Sequence, residues 1–151
     1  MKAPPSITYD IYIRAALRQV WHGIVDPELT KHYVYGTSRV GDLIKGRPYQ
    51  YVADGGFSVV DGKILDIEPE KRLVISWAAH WDEAVSTDRA SRVTFELSSA
   101  GPAVTKLRVL HDDFEGATAI YTGSVDGWPL MLSGLKSLLE TGKPLSTDAP
   151  Q

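Results

Sequence analysis

The chain has 151 residues, 43% of them hydrophobic and 23% charged, with a formal net charge of -3 and no cysteine. That length fits a single domain spanning 1–151 with one core, and the mild negative charge without a basic tract argues against nucleic acid as a partner. The missing cysteine removes disulfides, thiolate nucleophiles and cysteine-ligated zinc together, and no apolar run is long enough to cross a bilayer. The opening residues Met1-Lys2-Ala3-Pro4-Pro5 lack the apolar core of a signal peptide, so a cytoplasmic location is expected. The tails, Met1 to Ser6 and Leu145 to Gln151, are rich in Pro, Ser, Asp and Ala and are expected to be mobile.

Ile7, Tyr9, Ile11 and Ile13 alternate with polar or exposed-type residues, which predicts a half-buried strand. Ala15 to Val25 is predicted as a helix with Leu17, Val20, Trp21 and Ile24 on its apolar side. Asp26 is placed to cap a second short helix that has Pro27 at its first position. From Tyr35 to Val60 glycines break the chain into short strands and loops, with Arg47 to Val52 a predicted strand. Val59 to Ile67 follows as a strand, with Gly62 as its expected bulge. Leu73, Ile75, Trp77, Ala79 and Trp81 then alternate with more polar neighbours, as do Val93, Phe95 and Leu97, and Thr105, Leu107, Val109 and His111. Strands this close, joined by short turns, predict an antiparallel meander. Its solvent face would carry Glu96, Lys106 and Arg108, while period two turns His111 inward with the apolar residues.

Near the end Trp128, Leu132, Leu135 and Leu139 recur at helical spacing, widened by Met131 and Leu138, and Gly142 followed by Pro144 marks the stop. One long amphipathic helix after a run of strands predicts an α+β fold in which an antiparallel curved sheet wraps around the C-terminal helix, with two short helices after the first strand.

Several segments carry a family likeness: Val20-Trp21 before Asp26-Pro27-Glu28; Arg72-Leu73-Val74-Ile75-Ser76-Trp77; Arg92-Val93-Thr94-Phe95-Glu96-Leu97; Lys106-Leu107-Arg108-Val109-Leu110-His111; and Gly127-Trp128 with Leu132, Leu135, Lys136, Leu138, Leu139 and Glu140. In this order and spacing, from Ser6 to Pro144, they resemble the bacterial proteins similar to the C-terminal domain of the activator of Hsp90 ATPase, within the Bet v 1/START-like superfamily. The resemblance implies the helix-grip fold and a cavity between sheet and helix. It implies no one shared reaction, because fold is a poor guide to function.

The residues that carry chemistry are sparse. His80 and His111 fall on opposite strand faces, and a zinc site needs three or four convergent ligands, so no metal is expected and no cofactor either. No Gly-x-Ser-x-Gly elbow, phosphate loop or Gly-x-Gly-x-x-Gly motif occurs. Asp82 and Glu83 are candidates for a general acid or base by position alone, and read more simply as a solvated loop. The leading expectation is a non-enzymatic protein that binds a small hydrophobic molecule. Its pocket walls would be Tyr33, Tyr51, Phe57, Trp77, Phe95, Val109, His111, Trp128, Leu132 and Leu135, with His111 or a tyrosine orienting the ligand. Trp81, Tyr35, Tyr49 and Tyr121 lie near strand ends and loops, where a cavity mouth would be. The resemblance implies an alternative, a chaperone-type protein partner of the Hsp90 class. A second alternative is a cyclase- or hydrolase-type enzyme acting in the same cavity. A homodimer is also compatible with the chain.

Overall fold

The chain begins as the alternation predicts. In the computed structural model, which describes residues 5–145, β1 (Ile7–Ile13) points Ile7, Tyr9, Ile11 and Ile13 toward the interior. The helix α1 (Leu17–Val25) starts two residues later than expected, because a tertiary contact holds Ala15 and Ala16 serves as the N-cap. The Ala15 carbonyl accepts from Thr105 Oγ1 at 2.8 Å, and the Ala16 N–H donates to Gln19 Oε1 at 2.9 Å. Asp26 caps α2 (Pro27–Thr30) by accepting from the Glu28 N–H at 2.8 Å, with Pro27 at the first position where its missing N–H is harmless.

Strands β2 (Ser38–Val40), β3 (Pro48–Val52), β4 (Ser58–Glu68) and β5 (Arg72–Ala79) follow, then a one-turn helix α3 (Glu83–Ser86), then β6 (Ser91–Gly101) and β7 (Val104–Asp112). They form one curved antiparallel sheet in the order β1-β7-β6-β5-β4-β3-β2. The meander is therefore as read, and β1 joins it beside the last strand. The solvent face is organised by charge. Asp10 sits opposite Arg108 and Arg92 opposite Asp112, and each pair makes two hydrogen bonds, at 2.7 and 3.1 Å and at 2.9 and 2.8 Å. The inner face holds Leu73, Ile75, Trp77, Phe95, Leu107 and Val109, all buried.

The long helix α4 (Ala119–Thr141) lies in the sheet's curve and buries Ile120, Trp128, Met131, Leu132 and Leu135. Its start was not visible in the apolar pattern. The Ile120 N–H donates to Asp88 Oδ2 at 2.8 Å, so a carboxylate 32 residues upstream satisfies a free N–H at the helix's positive end. Pro129 removes one bond from the ladder without ending the helix. Gly142 ends it at φ 79°, with its N–H on the Leu138 carbonyl at 2.9 Å. Helix α1 crosses close by: a Cβ on Gly23 would stand 2.9 Å from Leu135 Cδ1, so only glycine admits this approach without a shift. No helix among the described residues is long and apolar enough to cross a membrane.

Three expectations are corrected. Asp82 and Glu83 belong to no free loop: Asp82 caps α3 by accepting from the Val85 N–H at 3.0 Å, and Val85 is buried. The alternation ends at Ala79, so Trp81 lies beyond the strand and is 45% exposed. Gly62 is not a bulge of β4; the extra residues are Leu65, between the pairs Ile64–Ile75 and Asp66–Val74, and Val59, between the pairs Tyr51–Val60 and Val52–Ser58. The expected mobility of the tails concerns residues that fall almost wholly outside those described.

Gly62 is needed for a different reason. A Cβ there would collide with the Ser76 carbonyl oxygen, a backbone atom with no room to give. Gly62→Ala should therefore lower stability by about 1–3 kcal/mol. A urea midpoint equal to the parent's would refute this contact between β4 and β5.

Candidate functional site

A cavity of about 450 Å3 opens between the sheet and the first half of α4. Period two on β3 and β5 turns Tyr51 and Trp77 into it, and β4 adds Val59 and Val60. The opposite wall comes from one face of α4: Ser124, Gly127, Trp128 and Met131. The segment between α2 and β2 contributes Val34, Tyr35 and Thr37, and Trp81 stands across from Gly123. Tyr35 takes a left-handed φ of 48° and is 46% exposed, so this ring and Trp81 form an aromatic rim. Deeper in, a void of about 10 Å3 is bounded by Tyr33, Val34, Tyr51, Trp77, Phe95, Trp128, Met131, Leu132 and Leu135. That is room for one water at most. The aromatic floor is continuous, with centroids 5.5 Å apart for Tyr51 and Trp77, 5.6 Å for Trp77 and Trp128, and 5.9 Å for Phe95 and Trp128.

His111 holds one wall in place. It is fully buried, and its Nδ1 accepts the Trp128 indole N–H at 3.0 Å. An indole nitrogen can only donate, so Nδ1 carries no proton and the ring's proton sits on Nε2. Nε2 lies 2.7 Å from Ser91 Oγ, which must then accept, and the Ser91 hydroxyl is left to donate to the Trp77 carbonyl at 3.4 Å. A serine beside a histidine is the arrangement of an activated nucleophile, but here the tautomer is the wrong one: the nitrogen facing Ser91 has a proton to give and no lone pair to take one. Burial pushes the His111 imidazolium down to about 3, with Asp112 acting weakly the other way, so the ring is neutral near pH 7.

Other ionisable groups near the cavity are equally inert. Burial raises the phenol of Tyr51 to about 12, and burial followed by the charge of Asp126 raises that of Tyr35. No carboxylate, imidazole, lysine or arginine side chain is among the lining residues. His80 lies apart, just past the end of β5, with Nε2 3.2 Å from Asp61 Oδ1. Among the described residues no group of three or more His, Cys, Asp or Glu side chains is placed to hold a metal.

Residues 14–140 match the family described as Activator of Hsp90 ATPase homolog 1-like protein. The chain belongs to that family. No curated protein matches it. Protein MLL2253 from Mesorhizobium loti has a similar crystal structure, 28% identical, with a TM-score of 0.74 over 89% of this chain and 96% of that one. The Aha1 dimer from Colwellia psychrerythraea is 21% identical, with a TM-score of 0.73 over 92% of this chain and 98% of that one. PFC0360w, an Hsp90 activator from Plasmodium falciparum, is 18% identical, with a TM-score of 0.72 over 89% and 95%. The last two likenesses speak for the fold alone, and that fold is the helix grip.

Within this Hsp90-activator-like fold the ten expected wall residues divide into three sets. Tyr51, Trp77 and Trp128 line the open cavity and the small void alike. Tyr33, Phe95, Leu132 and Leu135 border only the closed void. Val109 and His111 are sealed in the core, and Phe57 is 56% exposed after the Gly55-Gly56 turn, so these three border neither space. His111 therefore holds Trp128 and borders neither space. The sequence reading did not name Val34, Thr37, Val59, Val60, Gly123, Ser124, Gly127 or Met131 as wall residues. Ser124 lies four residues before Trp128 and three before Gly127, a helical spacing that would have found both once α4 was known to begin at Ala119.

The buried histidine makes stability depend on pH. An ordinary histidine titrates near 6.5, and this one near 3 when folded. Between those values the unfolded chain holds the extra proton, so the contribution is whole above about pH 6.5 and is lost as pH falls toward 3. At the limit the loss is about 5 kcal/mol. Denaturation across that range should show stability rising with pH, and His111→Gln should flatten the slope. A slope unchanged in the variant would place the proton elsewhere.

Proposed function

We propose that the protein binds a small, largely apolar molecule in the cavity between the sheet and α4, without catalysing its conversion. The observation that carries this reading is the cavity itself. Its volume of about 450 Å3 lies in the range of small-molecule sites, and its walls are mostly apolar and aromatic with a few hydroxyls. Affinity would come from burial of the ligand's apolar surface at about 25 cal/mol per Å2, less the cost of association. The rim of Tyr35 and Trp81 is suited to cover the mouth, since both rings are only half-buried and both adjoin helical glycines, Gly127 and Gly123. The absence of charged or imidazole groups from the wall gives the enzymatic alternative no acid or base to use.

A second reading, an interaction that regulates a chaperone ATPase, is favoured by the family match and by the Plasmodium falciparum protein called an Hsp90 activator. It would use an outer surface and leave the cavity idle.

Gly123 separates the two. It is a helical, exposed glycine whose added Cβ would sit 3.6 Å from Trp81, an ordinary contact. Gly123→Leu should close the mouth while keeping or raising stability, since leucine favours helix over glycine by about 1 kcal/mol. In the parent, an environment-sensitive apolar dye should bind and quench tryptophan emission; in Gly123→Leu its affinity should fall at least about tenfold. Lys106→Glu, on the solvent face of β7, should leave dye binding unchanged. Failure of the parent to bind any apolar probe, with Lys106→Glu abolishing activity in the host, would transfer support to the chaperone reading.

A further inference from the structure

The cavity wall holds hydrogen-bonding groups that the fold does not use. Tyrosines and threonines nearby are committed: Tyr33 donates to the Gly23 carbonyl at 2.7 Å, Tyr49 to the Ser76 carbonyl at 2.5 Å, and Thr37 to the Val34 carbonyl at 2.6 Å. Tyr51 and Ser124 are different. They are 3% and 6% exposed and line the cavity, yet neither hydroxyl makes a hydrogen bond to another described residue. Neither oxygen is sealed away in the protein, so each is open to what occupies the cavity. Trp77 differs from both: its ring lines the cavity and the small void, but its indole N–H is sealed off with no acceptor among the described residues, so a ligand does not reach it.

These groups restrict the ligand. A pure hydrocarbon would leave the two hydroxyls unpaired inside a dry site, which works against binding. An ionised ligand would bury its charge with no charged side chain on the wall, since Arg39, whose charge reaches Tyr51, is buried outside it and donates to the Val25 and Gly41 carbonyls. What remains is a neutral molecule with an oxygen that accepts. Five aromatic side chains line the cavity, Tyr35, Tyr51, Trp77, Trp81 and Trp128, and rings of this kind pack best against another ring. Building on the ligand-binding reading above, we infer that the cavity takes a neutral, planar aromatic molecule bearing a ketone or quinone oxygen, held by the Tyr51 hydroxyl with Ser124 as a second anchor.

Three probes on one ring frame test this: fluorenone, fluorene and fluorene carboxylate, titrated calorimetrically into the full chain. Fluorenone should bind about tenfold more tightly than fluorene, and the carboxylate most weakly. Tyr51→Phe should bring fluorenone to within about twofold of fluorene, with fluorene bound as tightly as by the parent or more so. Because the hydroxyl has no protein partner, the melting temperature of Tyr51→Phe should equal or exceed the parent's. Equal binding of fluorenone and fluorene by the parent overturns this inference and leaves the apolar cavity standing. A preference for the carboxylate, or a fluorenone preference that survives in both Tyr51→Phe and Ser124→Ala, also overturns it. Binding of none of the three, together with failure of the apolar dye, removes the ligand-binding reading and this inference with it.

Discussion

Trp128 donates its indole N–H to His111 across 3.0 Å, and the position of α4 in the sheet follows from that bond. The partners come from the middle of α4 and from the end of β7, so the bond ties the helix to the sheet at one depth and one rotation. Around it the rings of Trp77, Phe95 and Phe114 pack within 6 Å, with Phe114 4.4 Å from the imidazole. A buried imidazole would be costly without partners, and here both nitrogens are satisfied, which turns a liability into a specific lock. The bond also requires the neutral imidazole, and burial supplies it.

The cavity is a consequence of where that lock sits. Below Trp128 the helix and sheet are drawn together, and Leu132 and Leu135 leave a space only large enough for one water. Above it the small residues Gly123, Ser124 and Gly127 face the sheet, and the two surfaces stay apart. The change from leucines to small residues along one helix face separates a closed core from an open site. The aromatic floor that both share is rigid because its rings are packed on one another and on the histidine.

The outer face follows another logic. Its cross-strand ion pairs Asp10–Arg108 and Arg92–Asp112 keep the sheet's back soluble and add to strand pairing, although pairs this exposed contribute little stability each. The proposed binding role would rest on the small-residue stretch of α4 and the rim, and a protein-partner role on the charged back. Sequence likeness over 14–140 leaves both surfaces in play.

The apolar alternation of the strands, the Asp26-Pro27 cap, the Gly142 stop and the inward placement of His111 were all set by residues within a few positions of each other, and a local pattern sufficed to read them. The helix-grip architecture could be read from their order. Other features depended on partners far along the chain. The start of α4 at Ala119 needs Asp88, the late start of α1 needs Thr105, and the necessity of Gly62 lies in the Ser76 carbonyl. The site divided in the same way. Tyr51, Trp77 and Trp128 were evident as large aromatics on inward faces. That His111 binds Trp128 and borders no open space, that Phe57 is exposed and no part of the cavity wall, and that Ser124 lines that wall were decided only in three dimensions. Periodicity tells which face a side chain occupies, but not how far the opposite surface stands from it, and a cavity exists only in that distance.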